Sequence, residues 1–218
     1  NILVTGGAGY IGSHACVALL DAGYGVTVFD NFSNSQPAAI DQVQRITRKT
    51  VTLVEGDLQD RGALVSLFGK YPFDAVMHFA GLKAVNESCQ QPLRYYDNNV
   101  LGSINLFSTM QQTGVHRLIF SSSATVYGFP ETMPIAESAP LNPYNPYGNT
   151  KLAVENILQD LCRPGAEYVW QVALLRYFNP IGAHTSGYIG ENPNGIPNNL
   201  LPYVTQVAAG TRDALPVF

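Results

Sequence analysis

The chain has 218 residues, 46% of them hydrophobic and 13% charged, with a formal net charge of -4 and a pI near 5.5. This composition excludes a disordered polymer, and the lack of any Lys/Arg cluster excludes an electrostatic nucleic-acid footprint. No apolar run approaches the ~20 residues of a membrane-spanning helix, and no basic leader precedes the first apolar run. Cys16, Cys89 and Cys162 are scattered and odd in number, which reads as reduced thiols in a cytoplasmic protein.

The elements follow one rhythm. Short apolar runs at residues 2–5, 25–29, 51–54, 74–79, 117–121 and 169–177 read as strands. Helical spacing marks residues 11–22, 37–47, 61–68, 92–112 and 147–161. Near-continuous apolar strands that alternate with helices predict an α/β protein, a Rossmann-type doubly wound parallel sheet covered on both faces. Pro130, Pro134, Pro140, Pro143 and Pro146 break the rhythm, so residues 129–146 are expected as an ordered loop. After Tyr177 the chain turns rich in Gly, Asn and Pro, and residues 200–209 then read as a helix.

Three glycines sit where the first predicted strand meets the first helix. Gly6 suits a tight turn, Gly9 lets a pyrophosphate approach the backbone, and Gly12 lets helix and strand pack closely. The helix N-terminus behind them offers free N–H groups and a positive dipole end. A glycine triplet alone also fits a plain turn without ligand. Here Asp30 closes the second strand, 18 residues after Gly12, where a carboxylate can accept from a ribose and repel a 2′-phosphate. No arginine follows before Arg45, so NAD is favoured over NADP. Asp57, Leu58, Phe79, Ala80 and Gly81 fall at the carboxyl ends of later strands, the ligand side of such sheets.

Tyr147 and Lys151 are four residues apart at the start of a helix and so share a face. Ser123 closes a serine run at the end of the fifth strand. Taken singly, these residues also fit an exposed helix pair and a capping turn. With the cofactor loop they fit the oxidation of a secondary alcohol, which needs a base for the hydroxyl proton. Tyrosine is a poor base at its reference pKa of about 10. An ammonium ~5 Å away, at an effective dielectric of ~20, would contribute roughly 3 kcal/mol, a little over two units. The positive charge of NAD⁺ would add to that, and Ser123 would hold the hydroxyl in line. His14, His78, His116 and His184 show no metal-ligand spacing, so no metal is expected.

Longer words sharpen the assignment. They are His78-Phe79-Ala80-Gly81-Leu82-Lys83-Ala84-Val85, Tyr95-Tyr96-Asp97-Asn98-Asn99-Val100, Ser121-Ser122-Ser123-Ala124-Thr125-Val126-Tyr127-Gly128, Leu175-Arg176-Tyr177-Phe178-Asn179-Pro180 and Gly195-Ile196-Pro197-Asn198-Asn199-Leu200. By these words the chain resembles the extended short-chain dehydrogenase/reductase family from its first residue to its last, and within it the epimerases of UDP-sugars. The resemblance implies an isomerase that interconverts UDP-galactose and UDP-glucose through a 4-keto sugar, with Ser123, Tyr147 and Lys151 at the reacting carbon.

It also implies that Tyr10, Ile11, Asp30, Asn31, Phe32, Ser33, Asn34 and Ser35 contact NAD, with Asp57, Leu58, Phe79, Ala80, Gly81, Leu82, Lys83, Asn98, Lys151 and Phe178. Asn179, Asn199, Leu200, Pro216, Val217 and Phe218 match positions that hold the UDP-sugar. The implied division is an NAD-binding domain at 1–178 and the incomplete beginning of a UDP-sugar domain at 179–218. The family's chains continue past the position of Phe218, which implies a fragment or the ordered part of a longer protein. The helices matching 92–112 and 147–161 pair into a four-helix bundle in family dimers. Ser123-Ala124-Thr125 replaces the Thr-Asp-Glu of the 4,6-dehydratases. Another sugar-nucleotide enzyme of the family, a dehydratase or decarboxylase, and a non-catalytic NAD-binding protein are the competing readings.

Overall fold

The computed structural model describes residues 1–192 and 199–215. Six strands form one sheet: β1 Ile2–Thr5, β2 Val26–Asp30, β3 Thr52–Glu55, β4 Ala75–His78, β5 Arg117–Ser123 and β6 Gln171–Tyr177. Their order is β3-β2-β1-β4-β5-β6 and every pairing is parallel. The order reverses between β1 and β4, which opens a crevice at the carboxyl ends of these strands. The helices are α1 Tyr10–Asp21, α2 Ala38–Thr47, α3 Arg61–Lys70, α4 Val85–Gln90, α5 Pro92–Tyr95, α6 Gly102–Gln112, α7 Pro146–Leu161 and α8 Leu200–Ala208. None among the described residues is long and apolar enough to cross a membrane.

Strand pleating divides the core. Ile2, Val4 and Val28 point to one face, where Cys16, Val17 and Leu20 of α1 and Ile40 and Val43 of α2 cover them. Leu3, Phe29, Val76 and Phe120 point to the other, against Leu64 and Leu67 of α3, Leu106 and Met110 of α6, and Leu158 of α7. Adjacent residues of β1 are therefore buried on opposite sides, and the whole strand reads apolar.

One expected element is divided. In place of a single helix over 92–112, α5 and α6 are joined by a π-helical turn, Tyr96–Leu101, and the unforeseen α4 lies just before them. At the turn the Asn99 side chain reaches out of the helix: its Oδ1 accepts from Leu82 N at 2.8 Å and its Nδ2 donates to Leu82 O at 3.0 Å. Widened turns of this kind occur where side chains are re-aimed at functional sites, and residue spacing alone cannot reveal them. β5 runs through the whole serine run to Ser123 and passes into a short 3-10 turn, Ala124–Tyr127.

His78 at the end of β4 is fully buried, with Nδ1 2.7 Å from Thr5 Oγ1 and Nε2 3.0 Å from Ser103 Oγ. Burial, then the Lys151 charge, push its pKa from 6.5 down to about 3. Between those values the unfolded chain binds a proton that the folded one refuses. Stability is therefore expected to fall by about 1 kcal/mol per pH unit as pH drops from 6.5 towards 3. Thermal melts of the wild type and of His78→Gln across this window check it, since the variant should lose that part of the slope. Equal slopes would refute it.

Candidate active site

A cleft of about 900 Å³ runs along the carboxyl ends of the strands. Its floor begins at the glycine loop. Gly6 has φ +68°, and a Cβ there would sit 2.6 Å from Ala80 N. A Cβ on Gly12 would sit 2.2 Å from Gly6 O. At Gly9 the nearest atom to a Cβ would be Gly6 O at 3.2 Å, so that position faces the open cleft. Gly7, which spacing did not single out, is also required, because a Cβ would meet Val28 Cγ2 at 2.6 Å. Gly9 caps α1 without a side chain, and no acid occupies the first turn. The leading amides of α1 are thus left for an anion.

Asp30 lines the cleft but is more engaged than expected. Its Oδ2 accepts from Ala8 N at 3.0 Å, and its Oδ1 from Phe32 N at 3.0 Å and Ser35 Oγ at 2.9 Å. The carboxylate therefore ties the glycine loop to residues 31–35 before it meets any ligand. Asn31 Nδ2 donates to Asp57 Oδ2 at 2.8 Å, and Ser33 N to Asn31 Oδ1 at 3.0 Å. Phe32 does not line the cleft: with φ +55°, it turns its ring onto the core under α1 and α2.

At the other end stand Ser123, Tyr147 and Lys151. Asn145 starts α7 by accepting from Gly148 N at 2.8 Å, and Pro146 occupies the first turn, where a missing N–H costs nothing. Lys151 Nζ donates to Ser121 O at 2.8 Å and lies 6.0 Å from the Tyr147 ring centroid. Ser123 Oγ accepts from Thr125 N at 3.2 Å and Thr125 Oγ1 at 2.8 Å. With both acceptor sites used, its own proton remains to be donated into the cleft that Tyr147 also lines.

The expected depression of the tyrosine is not found in the cofactor-free site. Burial pushes Tyr147 above its usual value, and the neighbouring Ser123 hydroxyl only partly opposes it. Burial also brings Lys151 down to about 8, with Glu155 opposing. Burial is the largest effect on both groups, so the tyrosine holds its proton at neutral pH in the free site.

Gly6, Gly9, Tyr10, Ile11, Gly12, Asn34 and Leu58 lie in the cleft wall, as do Phe79 through Lys83, Asn98, Phe178, Asn179 and Asn199. Leu200 instead points to solvent, because it opens α8 on its exposed side. Pro216, Val217 and Phe218 lie outside the described residues, as do residues 195–198 of the last sequence word. Residues 179–192 fold back along the cleft. Gly182 O accepts from Tyr10 Oη at 2.6 Å, the Arg45 guanidinium lies 4.0 Å from the Tyr188 centroid, and Ile189 is buried beside α1 and α2. Glu191 pairs with Lys83 at 3.1 Å. Among the described residues no cluster of His, Cys, Asp or Glu could hold a metal.

Spacing missed Asn99, which also donates to Thr150 Oγ1 at 3.1 Å and so ties the π turn to the Tyr–Lys helix. A second asparagine inside an otherwise helical run was its only signal. Spacing also missed the ion pair between the buried Glu155 and the partly exposed Arg176 behind Lys151.

A doubly wound sheet with a glycine loop at its switch point and Ser, Tyr and Lys on the same cleft is the arrangement of the short-chain dehydrogenase class. The sequence profile of the NAD dependent epimerase/dehydratase family matches residues 2–217, and the chain belongs to that family. Over its full length it is 59% identical to UDP-glucose 4-epimerase of Bacillus subtilis and 54% identical to that of Homo sapiens, and it covers 63% and 64% of those proteins. UDP-glucose-4-epimerase of Stenotrophomonas maltophila, solved with NAD and formylated UDP-arabinopyranose, superimposes with a TM-score of 0.95 at 50% identity, over 100% of this chain and 64% of that one. The Bifidobacterium longum enzyme, in complex with NAD+ and UDP, gives 0.93 at 49% identity, over 96% and 62%. The chain thus spans a little under two thirds of the length of these relatives.

Proposed function

We propose that the protein is an NAD-dependent isomerase that interconverts UDP-galactose and UDP-glucose through an enzyme-held 4-keto sugar. The observation that carries this reading is the meeting of Ser123, Tyr147 and Lys151 in the cleft that begins at the glycine loop. The relatives' activity and ligands support it.

The residues present fit NAD. Gly9 leaves room at the N-terminus of α1, whose uncapped first turn suits a pyrophosphate. Asp30 and the loop it orders would hold the adenosine ribose, while Phe79 to Lys83, Asn98, Lys151 and Phe178 line the rest of the cleft. NAD, when bound, supplies a reversible acceptor for the C4 hydrogen with its electron pair. Tyr147 takes the C4 hydroxyl proton and later returns it. Ser123 orients that hydroxyl, and Lys151, fixed by Ser121 O, stabilises the tyrosinate. Inversion requires the keto sugar to present its other face, so the UDP must stay gripped while the sugar turns. Asn179 and Asn199 line the part of the cleft suited to that grip.

We assign residues 1–178 to NAD and 179–218 to the start of the UDP-sugar domain, and the protein to the cytoplasm as a homodimer. Leu93, Leu101 and Ile104 are exposed along α5, the π turn and α6, as a bundle seam between two copies requires. The dehydratase reading is disfavoured by Ala124, which offers no acid between Ser123 and Thr125. Incubation of the full-length protein with UDP-galactose tests the proposal. UDP-glucose is expected, whereas a 4-keto-6-deoxy sugar would favour the dehydratase, and a bound but unreacted substrate the non-catalytic reading.

NAD is expected to bind at least ~10-fold more tightly than NADP, because a 2′-phosphate would meet the Asp30 carboxylate. The nearby Arg45 is stacked on Tyr188 and does not compensate. Titration of the purified protein with both cofactors checks this; equal affinity would overturn it.

A further inference from the structure

Behind the Tyr–Lys pair lies a second cluster of charge. Glu155 sits on α7 one turn after Lys151 and is completely buried. Its Oε1 accepts from Ser122 Oγ and, at 3.1 Å, from Arg176 Nε, and its Oε2 from an Arg176 terminal nitrogen at 2.7 Å. Arg176 also donates to Tyr127 Oη at 2.9 Å and Glu137 O at 3.2 Å. One carboxylate therefore joins α7, β5 and β6, and its arginine joins the 3-10 turn and the proline-rich loop. A pair with one fully buried partner is weak evidence for stability, because desolvation of the carboxylate offsets much of its attraction. Its place beside a catalytic lysine suggests a second use.

We propose that Glu155 is a positioning residue: held by Ser122 and Arg176, its carboxylate sets the charge and placement of Lys151. The proposal rests on the reading of Lys151 as the partner of Tyr147.

The surroundings of Lys151 leave few other candidates for that task. From β5 it meets the carbonyl of Ser121 and the ring of Phe120, whose centroid is 4.9 Å away. The loop after β4 brings Gly81, and the π turn brings Asn99, all without charge. His78 on β4 is buried and held neutral. Tyr147 is protonated in the free site, and Arg176 stands behind Glu155 with the same sign as the lysine. Glu155 is thus the negative group among these neighbours, and its charge opposes the burial that strips the proton from Lys151. Arg176 works the other way: it holds the carboxylate in place and attenuates its field at the lysine.

Lys151 is titrated by NMR in the full-length protein carrying ¹³C-labelled lysine, and its signal is identified by its loss in Lys151→Met. The wild-type group is expected to titrate near the value of about 8 set by burial. Glu155→Gln should lower that midpoint by about one unit, and Arg176→Gln should raise it by a similar amount. The alkaline limb of the pH–turnover profile should move the same way in each variant. A purely structural pair predicts lower melting temperatures with no opposed shifts. If Glu155→Gln does not fold, Arg176→Gln decides by its direction. A midpoint that stays fixed, or moves the wrong way, overturns the proposal alone. A lysine that moves while the turnover profile does not would overturn the catalytic reading of Lys151 and the proposal with it.

Discussion

Tyr147→Phe in the full-length protein is expected to lower turnover by about 10³-fold or more, with NAD affinity changed by less than ~3-fold. The ring keeps its packing at the start of α7, and the glycine loop is untouched. What disappears is the hydroxyl proposed to take the C4 proton, in the cleft that Ser123 and Lys151 also line. Because burial raises the tyrosine in the free site, the proposed base needs further positive charge to form. Substrate should therefore lose little affinity and nearly all reactivity, an effect on kcat more than on KM. Ser123→Ala should cost about 10–100-fold, since one positioning bond is lost and the acceptor remains. Turnover of UDP-galactose by both variants, beside fluorescence titration with NAD, supplies the test. Near-normal turnover in Tyr147→Phe would remove Tyr147 as the base.

Gly12→Ala is expected to destabilise the protein by about 3 kcal/mol and to weaken NAD binding more than ~10-fold. The added Cβ would meet Gly6 O at 2.2 Å and Gly7 Cα at 2.8 Å. Both are backbone atoms, so no rotamer change relieves the clash, and α1 must lift from the loop that its amides serve. Gly9→Ala supplies the contrast. Its Cβ meets only Gly6 O, at 3.2 Å, and projects into the cleft. That variant should melt close to the wild type and still bind NAD poorly, because the obstruction lies where the pyrophosphate would sit. Thermal melts and NAD titrations separate the two. A Gly12→Ala protein with unchanged melting temperature would show that helix and loop part easily there.

The parts legible from residues alone are those whose physics is local. A βα turn with Gly6, Gly9 and Gly12 is built within one stretch of chain, and the positive φ of Gly6 needs no distant partner. Tyr147 and Lys151 share a helix face by spacing alone, and the apolar runs that form β1, β2, β4 and β5 announce a sheet covered on both sides. The π turn was not legible, because the atoms that stabilise it, the Leu82 backbone and Thr150, belong to other segments. Nor were the partners of Asp30, which reach back across the sheet to Ala8, or the turning of Phe32 into the core. The Glu155–Arg176 pair unites residues on α7 and β6 that no spacing rule connects. Protonation was the least legible of all. Residue types suggested a tyrosine lowered by its lysine, whereas the folded site raises Tyr147 and lowers Lys151. Sequence fixes which charges are present and which lie one helical turn apart. Only tertiary structure decides how much water each retains, and at this site the loss of water outweighs the attraction between neighbouring groups.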